Sequence, residues 1–463
     1  MSDPGFLDRS RIVAPPGWSR WLVPPAALAI HLSIGQAYAW SVFKLPLGAT
    51  VLKGSHYAAT LSALPFSLAI FVLGASAALF GTKVEHKGPR WAMLVATVCF
   101  AAGFLLAAAG VALGQYWLVV FGYGFVGGIG LGIGYISPVS TLIKWFPDHP
   151  GMATGLAIMG FGGGALIATP WSTAMLKAFG GTGAGAQASG VADTFLVHGI
   201  GYAVFMSLGW LLIRVPPEGW RPAGWDPASV RERPLITVAN VSARSAVRTP
   251  QFWLLWVVLC FNVTAGIGIL EQAEPMYRNF FQTSTPATVL AVAASGFVAI
   301  LSLANMLGRF VWSSVSDAIG RKNIYRFYLG VGAILYVVLA VAGNGSKAVF
   351  LLCAMLILSF YGAGFATVPA YLRDLFGAYE VGAIHGRLLT AWSVAGVAGP
   401  FIVDFIADKQ KAAGLSGTAL YGLSFRIMIG LLVVGFVCNE LIKPVAEKFH
   451  EAGARTAPSR EVA

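Results

Sequence analysis

Twelve long apolar stretches divide this chain, near residues 20–43, 57–81, 91–113, 116–142, 150–175, 195–214, 251–274, 287–313, 324–343, 348–371, 384–407 and 420–441. Crossing a bilayer as a helix takes about 20 apolar residues, and each stretch has them. Hydrocarbon offers no partner to backbone N–H and C=O groups, so only helices and closed barrels span it. The stretches are roughly twice the length of a barrel strand. The fold class read from the sequence is therefore an all-α integral membrane protein with twelve transmembrane helices. Only 11% of the residues are charged, against about 25% in soluble domains. That excludes a compact water-soluble fold, and the apolar content excludes disorder. The polar remainder is spread over short connections, so no separate soluble catalytic domain is expected and the chain does not read as an enzyme. Cys99, Cys260, Cys353 and Cys438 stand singly in apolar stretches. They read as small core residues, with no metal site and no cofactor expected.

The net charge is +12. In a membrane protein, Lys and Arg gather in cytoplasmic loops, so this excess does not call for a nucleic-acid partner. With both termini placed in the cytoplasm, 22 of the 31 Lys and Arg fall on inner segments and eight on outer ones. The remaining one, Arg309, lies inside a span. The N-terminal segment is polar and has no cleavable signal pattern, so the first apolar stretch is expected to stay in the membrane.

The two halves repeat. Glu85 and Asp317 are 232 residues apart, as are Gly88 and Gly320, while Pro138/Pro369, Gly151/Gly382 and Gly155/Gly386 are each 231 apart. Two parallel, pseudo-symmetric six-helix halves describe a known transporter architecture. The expected divisions are an N-terminal half at 1–214, a Pro- and Arg-rich cytoplasmic loop at 215–250, a C-terminal half at 251–441 and a tail at 442–463. Glycine runs at 124–134 and 160–164 are not phosphate loops, because no Lys-Ser/Thr follows and no strand precedes them. They read as close helix contacts.

The loops Glu85-His-Lys-Gly88-Pro-Arg90 and Asp317-Ala-Ile-Gly320-Arg321-Lys322, with twelve spans and a central loop, resemble the major facilitator superfamily. Further strings are similar to its oxalate/formate antiporter family: His31 to Phe43, Gly134-Tyr-Ile-Ser-Pro138 running into Lys144-Trp-Phe-Pro147, Gly151-Met-Ala-Thr-Gly155 and Gly160 to Ala165. The resemblance implies alternating access, small organic anions as substrates and an arginine of the eighth helix as carboxylate ligand, here Arg309. It also implies a Lys in the eleventh helix of dicarboxylate-specific members, where this chain has Trp392. That departure favours a monocarboxylate. Asn305 before Arg309 resembles lactate-type monocarboxylate transporters of the same superfamily.

The residues themselves point the same way. An arginine in a helix centre costs roughly 2.5–3.5 kcal/mol on insertion scales and is tolerated beside a cavity. Its fork can hold a carboxylate through two parallel hydrogen bonds. A snorkelling arginine is the plainer alternative. Asn305, one turn away, can orient the guanidinium. Gln36 and Tyr38 line the cavity or join helices. Tyr123, Tyr135, Phe360, Tyr361 and Trp392 wall the cavity or simply pack. His31, Glu271 and Glu274 are candidates for proton coupling, against a structural hydrogen bond for the histidine and an outer salt bridge or solvated helix end for the acids. Glu85, Arg90, Asp317, Gly320 and Arg321 are expected to form a cytoplasmic gate, the acids meeting an Arg or the positive end of a helix.

The function expected is secondary transport of a lactate- or pyruvate-like acid in the inner (plasma) membrane, by a monomer, with a proton or a counter-anion as coupling partner. The rival is an oxalate/formate-type exchanger.

Overall fold

The computed structural model describes residues 5–225, 235–237, 239–281, 286–343 and 345–451. Among these, eleven helices are long and apolar enough to cross a membrane, and a bent pair makes a twelfth. The bent pair is α1, Arg20–Ala39 continued by Ser41–Ala49 at an angle of 50°. Residues Gly35–Ala39 wind as a tighter 3₁₀ turn just before the bend, a place where helices commonly break. The others are α2 (Ala58–Lys87), α3 (Pro89–Ala112), α4 (Tyr116–Trp145), α5 (Pro150–Phe179), α6 (Ala188–Leu212), α7 (Pro250–Phe281), α8 (Ala287–Ile319), α9 (Arg321–Ala342), α10 (Lys347–Phe376), α11 (Val381–Ala412) and α12 (Gly422–Leu441). Several of them run well past the apolar stretches; α2 goes on to Lys87 and α8 to Ile319.

Two reversals carry the internal repeat. Gly88 (φ 89°) turns α2 into α3 and Gly320 (φ 90°) turns α8 into α9. A positive φ is freely open only to glycine, so the chain reverses with a single residue between helices. This end of the bundle, called the motif end below, also holds the α4–α5 and α10–α11 connections.

The first six helices pack among themselves, with α3 on α6, α2 on α4 and α1 on α5. In the last six, α8 lies on α10, α9 on α12 and α7 on α11. The two groups meet along two seams, α5 with α8 and α2 with α11. Helices α4 and α10 are buried over most of their middle stretches and stand inside the bundle. A helix apolar all round is expected in such a position. Arg309 and the rings around it lie where α1, α4, α5, α8, α10 and α11 converge.

Candidate functional site

Arg309 is fully buried in α8. Its Nε donates to Asn305 Oδ1 at 3.1 Å, one turn back on the same helix. Its Nη1 reaches the Ile158 carbonyl of α5 at 3.4 Å, and Nη2 finds no partner among the described residues. The guanidinium lies over the rings of Phe161 (5.8 Å) and Phe365 (5.4 Å), which face it with favourable quadrupoles. No acid of the described residues stands within ion-pair distance. A buried unpaired cation is costly, so its surroundings must be shaped for it. The glycine run of α5 does that. A Cβ on Gly162 would sit 2.7 Å from Arg309 Nε and 2.9 Å from Cδ. Only a bare backbone leaves the guanidinium room.

Around the arginine stands an aromatic box drawn from both groups of helices. Phe161 packs against Tyr38 (5.1 Å), Tyr135 (5.3 Å) and Trp392 (5.4 Å). Phe365 packs against Trp392 (4.5 Å) and Tyr361 (5.3 Å). The hydroxyls of Tyr38 and Tyr361 share a hydrogen bond at 3.1 Å, joining α1 to α10 on the side away from the motif end. Tyr135 Oη and Trp392 Nε1, like Arg309 Nη2, are buried without a hydrogen-bond partner among the described residues. Buried polar atoms are nearly always hydrogen-bonded. Three unmet polar groups thus stand together on one box.

Of the residues expected to line the cavity, Arg309, Asn305, Tyr38, Tyr361 and Trp392 come together, and Tyr135 joins them. Gln36 and Tyr123 form a separate pair: the tyrosine hydroxyl donates to Gln36 Oε1 at 3.1 Å, and its ring packs on Trp40 at 4.1 Å. Gln36 Nε2 is left unpartnered. Phe360 departs from expectation. It faces Trp312 (5.6 Å), Phe327 (5.3 Å) and Tyr328 (5.8 Å), because its place on α10 turns it toward α9. Phe161 and Phe365 were not anticipated; phenylalanines in apolar helices carry no signal of which face meets a cavity. The side chains of Glu271 and Glu274 lie outside the described residues.

The motif end is closed by two crossed helix caps. Asp317 of α8 accepts from the backbone N–H groups of Gly151 and Met152, both at 2.9 Å, at the start of α5. Glu85 of α2 accepts from Gly382 N–H at 3.0 Å, at the start of α11. Each acid thus sits on the positive end of a helix from the opposite group. Arg321 pairs with Asp317 at 2.5 Å and with Asp374 at 3.3 Å. Lys144 pairs with Glu85 at 2.5 Å.

Arg90, expected at this end, stands apart from its acids. It donates to the carbonyls of Phe6 (3.2 Å) and Leu211 (3.5 Å) and stacks on the Phe6 ring. The reason is register. Pro89 occupies the position after the turn glycine that Arg321 holds in the second loop, so Arg90 corresponds to Lys322. Lys322 likewise braces the end of α12 through the Glu440 and Ile442 carbonyls, at 2.7 and 3.1 Å. Lys144 supplies the cation instead. Beside this gate Arg20 holds Asp148 through two bonds of 2.7 and 2.8 Å. Burial alone would raise the Asp148 carboxyl, but the Arg20 contacts outweigh it and hold the group below the usual carboxylate range.

Fold and site together define a polytopic membrane protein whose two helical groups enclose a cation between them. The family model of the Major Facilitator Superfamily matches residues 21–400, and the chain belongs to that superfamily of membrane transporters. It is 25% identical over 432 residues to the oxalate:formate antiporter of Oxalobacter formigenes, covering 92% of this chain and 93% of that one. It is 24% identical over 386 residues to apicoplast pyruvate carrier 1 of Toxoplasma gondii, covering 73% and 68%. Among solved structures, the fucose:proton symporter of E. coli superposes with a TM-score of 0.64 at 15% identity, covering 91% of this chain and 99% of that one. That likeness is one of fold.

Proposed function

We propose that this transporter carries a small monocarboxylate of lactate or pyruvate type by alternating access, with the substrate carboxylate on Arg309. The observation that supports the reading is the buried guanidinium with an unpartnered Nη2, set in an aromatic box whose Tyr135 and Trp392 also lack partners. A carboxylate can take Nη2 and one further donor, while Asn305 and the Ile158 carbonyl hold the fork in place. The rings suit a methyl or short alkyl group. One buried cation balances one carboxylate. A second carboxylate would meet Trp392, an N–H dipole without charge. Two relatives named for oxalate, formate and pyruvate agree with the class of small carboxylates.

In this reading the halves at 1–214 and 251–441 rock as units, linked through 215–250. The motif end faces the cytoplasm of a cell's inner membrane, with both termini on that side, a placement that the Lys and Arg distribution supports. The protein works as a monomer. Release toward the cytoplasm means parting the Glu85 and Asp317 caps; opening outward means breaking the Tyr38–Tyr361 hydroxyl bond.

Uptake of labelled lactate and labelled oxalate into proteoliposomes tests this, with and without internal counter-anion and with an inward proton gradient on or off. Lactate entry into empty vesicles, stimulated by the gradient, is the expected result. Oxalate entry that requires an internal anion would replace the monocarboxylate reading with an exchanger of dicarboxylates.

A further inference from the structure

We propose that His385 of α11, together with His31 of α1, is the proton-binding group of this carrier, and that proton and carboxylate are bound together. The inference rests on Arg309 as the carboxylate ligand. His385 is 1% exposed and neither ring nitrogen has a partner among the described residues. His31 is wholly buried; its Nε2 meets the Tyr135 carbonyl at 3.1 Å and its Nδ1 is unpartnered. Both imidazoles flank the Tyr135 ring, at 5.8 Å for His385 and 5.5 Å for His31. The same ring packs on Trp392 and Phe161 of the box around Arg309. The pair is therefore the next layer of the site toward the motif end. It spans the seam between the two helical groups.

Three unmet ring nitrogens in one buried layer need an explanation. Imidazole is the side chain that gains a proton near neutral pH. Around His385, Lys83, His86 and Lys87 of α2 are exposed, and Arg387, two residues on in α11, keeps a buried Nη1 with no partner among the described residues. Glu85 of α2 and Lys144 of α4 hold each other, and Asp374 of α10 holds Arg321. Arg373 of α10 bonds the Pro147 carbonyl, and Arg244 of the turn Ala243–Ala246 is exposed. What faces the pair is Tyr135, with Arg309 beyond it.

Coupling then follows from charge. In the empty site a protonated imidazole would add a second positive charge beside the uncompensated guanidinium, and like charges repel. A bound carboxylate cancels that repulsion, so the proton binds more readily, and by reciprocity the proton strengthens carboxylate binding. The empty site carries the single positive charge of Arg309. The loaded site carries guanidinium, carboxylate and imidazolium, again one net positive charge. Each cycle moves one carboxylate with one proton and no net charge.

The test is calorimetry of the purified full-length protein titrated with sodium lactate in two buffers of different ionisation enthalpy, repeated between pH 6 and 8. The wild type should take up close to one proton per lactate at the alkaline end, and its affinity should rise up to about tenfold per pH unit on acidification. His385→Asn should show saturable, weaker lactate binding with little proton uptake and a flat pH profile. His31→Asn should lower proton uptake in the same way and serves if His385→Asn does not fold. Wild-type proton uptake retained in both variants, or lactate binding to the wild type with no proton uptake, would overturn the proposal. Absence of lactate binding by the wild type would instead overturn the reading of Arg309, and the proton pair with it.

Discussion

The acids at the motif end and the polar groups around Arg309 are met in opposite ways. At the motif end, Glu85 and Asp317 each take backbone N–H groups and a basic side chain. At the centre, Arg309 Nη2, Trp392 Nε1 and Tyr135 Oη are buried with nothing to bond. A satisfied network holds one conformation; an unsatisfied one is a standing cost that a ligand can remove. The two acids at the motif end are thus matched within the protein, and the polar groups at the centre are not.

The sharpest way to break that contrast is to fill the space of the guanidinium. Gly162→Val puts a branched side chain where Arg309 Nε now lies. Lactate affinity should fall roughly 100-fold, about 2.7 kcal/mol, in a protein that still elutes as a single species. Gly163→Ala, beside Met306 instead, should lose much less. Titration of both variants checks this.

Trp392→Lys sharpens the comparison by adding a second cation to the box. Oxalate binding should rise about tenfold or more while lactate binding falls, read by competition for labelled lactate. An unchanged preference would show that Trp392 does not set the charge of the bound acid.

At the gate, Asp317→Asn and Glu85→Gln each weaken a helix cap worth about 1 kcal/mol. Each should raise the fraction of molecules open at the motif end several-fold, measured by labelling of a cysteine placed at Ser140. Because the caps lie on different seams, their free energies should add, so the double variant should show the product of the two fold-changes in the open-to-closed ratio. Carboxylate affinity in the closed state should not change.

The smallest effect is expected at Asp148. Its carboxyl is held below its ordinary range, so the Arg20 pair stabilises the fold above that range and loses its contribution as pH falls through the lowered value. Asp148→Asn should cost about 1 kcal/mol or less at neutral pH and nothing in strong acid, read as a shift in thermal midpoint.

These regions were not equally legible in the sequence. Apolar length gave away the spans, and fixed spacings paired Glu85 with Asp317 and Gly88 with Gly320. Arg309 stood out because a charge inside a span is rare, and Asn305 because it lies one turn away. The 50° bend of α1 was hidden, since the 3₁₀ turn before it, Gly-Gln-Ala-Tyr-Ala, has no proline to announce a break. Phe161 and Phe365 were hidden for a different reason: helices buried all round show no periodicity to orient them. His385 was missed as one polar residue among several at a helix start, where a solvated position is the usual outcome. That Arg90 braces the Phe6 and Leu211 carbonyls, and that Lys144 meets Glu85, was not legible, because neither contact is local in the sequence.

The most direct test of the central claim is lactate binding to Arg309→Gln, measured by calorimetry beside the wild type in the same detergent. Saturable binding to the wild type and none to a folded, monodisperse Arg309→Gln is the result predicted here. Binding of equal affinity in both would show that the carboxylate sits elsewhere.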